Sequence, residues 1–308
     1  MEDLDGTIAE TTDEILIIAK HFMETLYKKS PNIPNNITHY LKEFTTKVTN
    51  DERAKLDAPI TLNELTDELT GKSASSAPGE DGFNFRFIKI CWEVIGPILV
   101  NVSEEIQNSG KLPQELQNII INLIPKKGKS NHINNTRPIS IIDCAIRLIS
   151  LVYNSRFQKI LTNYISPDQH GFLSGRTISD ASQKIQLVID EMNKHKRKIS
   201  GPGAILVDMA KAFDSLDHLY LKQVLKKFNL GPRTILFCMA ITSGHKGQVL
   251  VNNKTSEEFK LDRGVRQGNP LSPLLFILAL EPLFFQLNRR IQGIHMGKKL
   301  RVTRRHIL

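Results

Sequence analysis

Asp208 ends the run Ala-Ile-Leu-Val-Asp, and an aspartate in that setting can do metal chemistry. Ala204–Val207 reads as a short, fully apolar strand, so the carboxylate after it is presented at a sheet edge. Such a carboxylate can hold a divalent cation, and nucleotidyl transfer needs a place for two ions about 3.5–4 Å apart. A helix N-cap or a plain surface aspartate would use the same residue at that position. Basic segments form the second candidate group. Pro125-Lys126-Lys127-Gly128-Lys129 makes a cationic loop after an apolar run, and Lys194–Lys198 (KHKRK) makes another. Either can contact phosphates or simply be solvated. Gly201-Pro202-Gly203 reads as a turn before the apolar strand rather than as a phosphate loop. Cys91, Cys144 and Cys238 lie far apart in apolar, helix-like stretches, which suits buried thiols and a reducing compartment.

The elements that must position these groups are mostly helical. Thr11 with Glu14 and Thr61 with Glu64 have capping-box spacing, the first followed by Ile15, Ile18, Phe22 and Leu26. Ser73–Gly82 (SASSAPGEDG) is a turn-rich break, so residues 1–72 are expected to form a helical lead-in and residues 73–308 the main domain. A helix is predicted from about Phe85 to Asn108, ended by Gly110 and Pro113. Ile119–Ile124 is a β-branched strand running into the lysine loop. Further helices are predicted at Asp143–Tyr164, Ser179–Lys198, Asp217–Phe228, Pro232–Thr242 and Pro273–Ile291. Gln248–Asn252 and Glu258–Leu261 read as paired strands around an Asn252-Asn253 turn. Few short strands among many helices, with no βαβ repeat, give an α+β class.

Charge divides the chain. Up to Asp81 there are 16 acidic residues against 8 basic ones; from Gly82 on, 33 basic face 16 acidic. That excess suits a polyanionic partner, because Lys and Arg at phosphates release condensed counterions. The apolar content of 40% is near the globular average and argues against wholesale disorder. The acidic start has no signal-peptide pattern, and the longest apolar run, Leu274–Phe285, is broken by Glu281 and Pro282. A soluble protein without a membrane partner is expected.

Five blocks then carry a resemblance. Asp208-Met209-Ala210-Lys211-Ala212-Phe213-Asp214 resembles motif A of reverse transcriptases, and Arg263–Pro273 (RGVRQGNPLSP) resembles their motif B. LIPKKGK with NNTRPISIID resembles the finger motif; Asp168–Gly175 (DQHGFLSG) and Ala77–Phe83 (APGEDGF) resemble two blocks of LINE-type (non-LTR) retrotransposon enzymes. The blocks keep the family's order over about Pro59–Lys299. The resemblance implies a right-hand polymerase fold, with fingers plus an incomplete palm, preceded by a helical linker.

It also implies roles. Asp208 would ligate catalytic Mg²⁺, with the main-chain carbonyl of Met209 assisting, and Phe213 would be the steric gate against a 2′-hydroxyl. Gln267 and Gly268 would line the incoming nucleotide, while Lys126 and Arg137 would contact its triphosphate. Asp214 and Asp217 are expected to be structural. The implied partners are an RNA template, a DNA primer and deoxynucleoside triphosphates, and the implied location is nucleus or cytoplasm. Asn269 stands where the family usually has cysteine or aspartate. No Asp or Glu follows Glu281, so the family's Ala-Asp-Asp block is not met, and the expectation is that this chain alone is inactive. The alternative is a non-catalytic RNA- or DNA-binding relic of such an enzyme.

Overall fold

The computed structural model describes residues 1–29, 37–74, 76–128, 130–194, 206–290, 294–296 and 300–302. Its helices are α1 (Thr12–Tyr27), α2 (Ile37–Tyr40), α3 (Asn50–Asp57), α4 (Leu62–Thr70), α5 (Phe85–Ile90), α6 (Trp92–Ser109), α7 (Cys144–Leu161), α8 (Ile178–Lys194), α9 (His218–Lys227), α10 (Pro232–Ala240) and α11 (Ser272–Arg290). The strands are β1 (Asn118–Pro125), β2 (Thr136–Ile141), β3 (His245–Val251), β4 (Lys254–Thr255), β5 (Phe259–Leu261) and a separate hairpin, β6 (Ile294–Met296) with β7 (Leu300–Val302). Both predicted capping boxes form, and a third closes on Thr49 and Glu52. The long helix expected from Phe85 breaks at Cys91 into α5 and α6.

β1 is the inner strand of the main sheet. It pairs antiparallel with β2 and parallel with β3, whose other edge carries β4 and β5. Ile119 and Ile121 are buried on the core face of β1, as alternation requires. On β2, buried Thr136, Pro138 and Ser140 alternate with Arg137, which is exposed. The turn after β3 uses Asn252 and Asn253, both at positive φ, as a tight hairpin needs.

Helix α11 has apolar residues around its whole circumference and is buried nearly throughout, packed against α9. Helix α1 packs on β3 and β5. Its Ala19, Phe22, Met23 and Tyr27 share one buried cluster with Ile121 of the sheet and Phe276 of α11. Several polar ties bind residues 1–72 to the later chain, among them those of Arg156 and Asp57. Arg156 of α7 meets Glu64 through Nε and Nη2, each at 2.7 Å, and Nη1 donates to the Ala58 carbonyl at 2.6 Å. Asp57 accepts from the Thr234 N–H at 2.8 Å, satisfying the first turn of α10.

The apolar strand expected at Ala204–Val207 is corrected at its C-terminal half. Leu206 and Val207 lie outside any strand and are 92% and 79% exposed. No described strand runs beside them, and an unpaired two-residue segment has nothing to supply its backbone hydrogen bonds. Ala204, Ile205, Gly201–Gly203 and His195–Lys198 lie outside the described residues. No helix among the described residues is long and apolar enough to cross a membrane.

Candidate functional site

The motif A segment is a compact turn. Lys211 takes a left-handed φ of 50°, and its carbonyl accepts from the N–H groups of Asp214 and Ser215 at 3.0 Å. The segment Arg263–Val265 lies beside this turn: Val265 N–H donates to Phe213 at 2.8 Å and Gly264 N–H to Leu216 at 2.7 Å. Motifs A and B are therefore joined by backbone before any side chain is considered. Asp217 caps α9 by accepting from the Tyr220 N–H at 2.8 Å.

Behind the turn lies a buried polar cluster. Asp214 is 1% exposed and accepts from the Tyr27 hydroxyl at 2.8 Å and from Gln267 Nε2 at 3.1 and 2.9 Å. Burial raises its pKa above the usual carboxylate value, and these donors pull the other way. The Arg266 guanidinium is fully buried 5.0 Å from the centre of the Tyr27 ring. It donates through Nη2 to the carbonyls of Arg263 and Gly264, leaving Nε and Nη1 without a partner. His218 bonds the Gly264 carbonyl at 2.9 Å, so Nε2 carries the proton. Burial pushes this imidazole down to about 4. His245, also buried and bonded to the Ala240 carbonyl, is pushed down to about 3, chiefly by burial and secondarily by the Arg266 charge.

The β1–β2 hairpin is seated on the same assembly. Lys126 N–H donates to Asn135 at 2.8 Å and closes the hairpin one residue beyond the Pro125–Thr136 pair. Lys126 and Arg137 thus share one end of it. Ser140 of β2 donates to the Gln267 carbonyl at 2.7 Å. Gly268 has a φ of 136°, and a Cβ there would lie 2.3 Å from the Ser140 carbonyl oxygen. Only glycine fits that approach. Lys211 reaches back to the hairpin, donating to Thr136 at 3.3 Å, with its ammonium 5.1 Å from the Phe22 ring centre. Burial lowers its pKa, and the nearby charge of Lys126 adds to that.

Phe213 stacks on Phe276 of α11 at 4.9 Å and meets the edge of Phe172 at 6.2 Å. Phe172 is 61% exposed with φ 58°, an uncommon conformation for so bulky a residue. Gln158 holds it, donating to the Phe172 carbonyl at 2.8 Å and accepting from Ser174 N–H at 3.0 Å. Arg176 pins the same loop through carbonyls of Thr162, Ile165, Ser166 and Gln169. Asn269 donates to Ser150 at 3.0 Å and accepts from Leu271 N–H at 2.9 Å, so asparagine at this position both bridges to α7 and starts α11.

Asp208 is exposed, in the irregular segment before the turn. Met209 lines an open groove of about 1220 Å³ with Ala212, Leu216, Phe276, Leu280 and Leu283. No group of three or more His, Cys, Asp or Glu side chains that could hold a metal is present among the described residues. One carboxylate does not fit a pair of Mg²⁺ ions, which demand near-octahedral oxygen shells. The structure thus brings Lys126, Arg137, Phe213, Gln267 and Gly268 onto one joined framework, while Asp208 stands before it and, among the described residues, belongs to no group of three or more such metal-binding side chains. Tyr27, Lys211 and Arg266 belong to the assembly and were not singled out from the sequence. The last two lie inside the motifs, but nothing local marks Tyr27.

Residues 124–302 match the family model described as reverse transcriptase (RNA-dependent DNA polymerase), and the chain belongs to that family. Its relatives come from mobile elements, as the LINE-type motifs led us to expect. It is 30% identical over 290 residues to the transposon TX1 uncharacterized 149 kDa protein of Xenopus laevis, covering 94% of this chain and 22% of that protein. It is 29% identical over 228 residues to the Pol polyprotein of the type-2 retrotransposable element R2DM of Drosophila melanogaster, covering 74% and 21%. It is 24% identical over 248 residues to the RNA-directed DNA polymerase from mobile element jockey of Drosophila funebris, covering 80% and 26%. The chain therefore spans about a quarter or less of these relatives.

Proposed function

We propose that the chain forms the fingers and part of the palm of a right-hand polymerase, and that the protein containing it copies RNA into DNA. In that reaction a primer 3′-oxygen attacks the α-phosphorus of a deoxynucleoside triphosphate. A new P–O bond forms, the α–β anhydride bond breaks, and pyrophosphate leaves. The observation carrying this reading is the junction of β2, the motif A turn and the motif B loop through Ser140, Phe213, Val265 and Gln267.

Lys126 and Arg137 take the triphosphate, Arg137 as a planar fork and Lys126 as a mobile charge. Gln267 and Gly268 line the nucleotide. Phe213, fixed by Phe276, blocks a 2′-hydroxyl. Asp208 and the Met209 carbonyl are the ligands we assign to Mg²⁺, which would supply electrophilic activation. One carboxylate cannot hold the ion pair, so residues 1–308 by themselves are expected not to extend a primer. The test is sugar selectivity in the polymerase that contains this chain. Phe213→Val should raise ribonucleotide incorporation relative to deoxynucleotide by an order of magnitude or more. Unchanged selectivity would refute the gate assignment. The basic charge of residues 82–308 favours a second reading, RNA or DNA binding without synthesis, which predicts salt-sensitive binding and no extension by any form of the protein.

A further inference from the structure

Helix α1 reaches the motif A and B assembly with its last turn. Tyr27 is the final residue of that helix and is 1% exposed. Its hydroxyl donates to Asp214 at 2.8 Å, and the same carboxylate receives both contacts from Gln267 Nε2. The ring lies beneath the Arg266 guanidinium, and the Tyr27 carbonyl accepts from Asp262 N–H at 3.1 Å. Arg263 Nε donates to the adjacent Leu26 carbonyl at 2.7 Å. Asp262, Arg263 and Arg266, all shortly before Gly268, are thus held by Leu26 and Tyr27.

The geometry matters for Gln267 because, among the described residues, its amide is anchored on Asp214 and Asp214 has one further side-chain donor, Tyr27. A carboxylate held by two donors has a set orientation; with one donor gone it can rotate and carry the glutamine amide with it. Aromatic burial alone does not require the hydroxyl, since a phenylalanine would fill the space under Arg266 equally well.

We propose that Tyr27 is a positioning residue for nucleotide binding, acting through Asp214 to hold the Gln267 side chain. This rests on the reading of Gln267 as a residue that lines the nucleotide. The N-terminal helix would then be a working part of the polymerase site rather than a tether to it.

The test is a double-mutant cycle in the polymerase that contains this chain, with Tyr27→Phe, Gln267→Ala and the pair assayed for dNTP KM and kcat on a primed RNA template. Tyr27→Phe keeps the ring, and its folding is checked by thermal melting. The expected result is a rise in dNTP KM of about five- to tenfold in the wild-type background, the size of one net hydrogen bond. In the Gln267→Ala background Tyr27→Phe should cause no further rise, and kcat should change by less than about twofold. An equal rise in both backgrounds, or a loss confined to kcat and melting temperature, would overturn the proposal and leave Tyr27 a packing residue. If Gln267→Ala leaves KM unchanged, the nucleotide-lining reading itself fails and takes the inference with it.

Discussion

Replacing Gly268 by alanine should separate the motif B loop from β2. The added Cβ would sit 2.3 Å from the Ser140 carbonyl oxygen, against a normal carbon–oxygen contact near 3.3 Å, so the two backbones must part by about 1 Å. That movement breaks the 2.7 Å bond from Ser140 to the Gln267 carbonyl, worth about 1 kcal/mol net. A φ of 136° in a residue with a Cβ costs about 1–3 kcal/mol more. The sum is about 2–4 kcal/mol, or a fall of roughly 4–8 °C in melting temperature at about 2 °C per kcal/mol for a chain of this size. Thermal and urea unfolding of the 308-residue chain measure it. Gly244→Ala is the control, because that residue also has positive φ but nothing within 4 Å of its Cβ position. If both variants melt within a degree of one another, Ser140 and Gly268 are not in rigid contact, and the joined framework inferred for β2 and motif B is wrong.

Other perturbations have equally definite outcomes. Arg156→Lys should cost about 2 kcal/mol, since an ammonium cannot keep the paired contact with Glu64 and the carbonyl bonds beneath it; denaturant melts within about 0.5 kcal/mol of wild type would show the tie to be idle. Burial raises Glu281 to about 7, so its contribution to stability is full below pH 4.5 and is lost as pH rises toward 7. Glu281→Gln should therefore gain on wild type by about 3 kcal/mol between pH 4.5 and 7.5, and a pH-independent difference would refute the assignment. In that variant the buried histidines at about 4 and about 3 act in the opposite sense: protons bind their unfolded forms below pH 6.5, so each should contribute a fall of about 2 kcal/mol from pH 7 to pH 5. Lys126→Ala and Arg137→Ala should each lower the slope of log K against log salt for RNA binding by about 0.7–0.9, and unchanged slopes would remove these residues from the phosphate contacts.

The sequence disclosed what depends on short range. Capping boxes at Thr11 and Thr61 form where threonine and glutamate spacing put them, and Asp217 caps α9. Ile119–Ile124 is legible as a strand because its β-branched residues outweigh other signals, whereas its partner Thr136–Ile141 carries Arg137-Pro138 and is assigned no element from the sequence. Proline is tolerated there with β2 at the edge of the sheet. Leu206 and Val207 show the opposite failure: an apolar run specifies a strand only when a neighbour pairs with it. The Tyr27–Asp214 bond joins residues 187 apart, and no periodicity or motif links them. Arg266 looks like a surface cation inside a basic string, but the Tyr27 ring and two carbonyls make room for it in the core. The left-handed backbone of Phe172 is likewise set by Gln158 and Arg176 from outside its own turn.

Extension of a DNA primer on an RNA template, by the full-length protein that contains this chain and by its Asp208→Ala variant, decides whether the motif A carboxylate drives synthesis. The prediction is deoxynucleotide- and Mg²⁺-dependent extension by the parent protein and background extension by the variant, both folded to the same melting temperature. Extension retained in Asp208→Ala would show that the chemistry is centred elsewhere, and the site built here around Asp208, Phe213 and Gln267 would have to be abandoned.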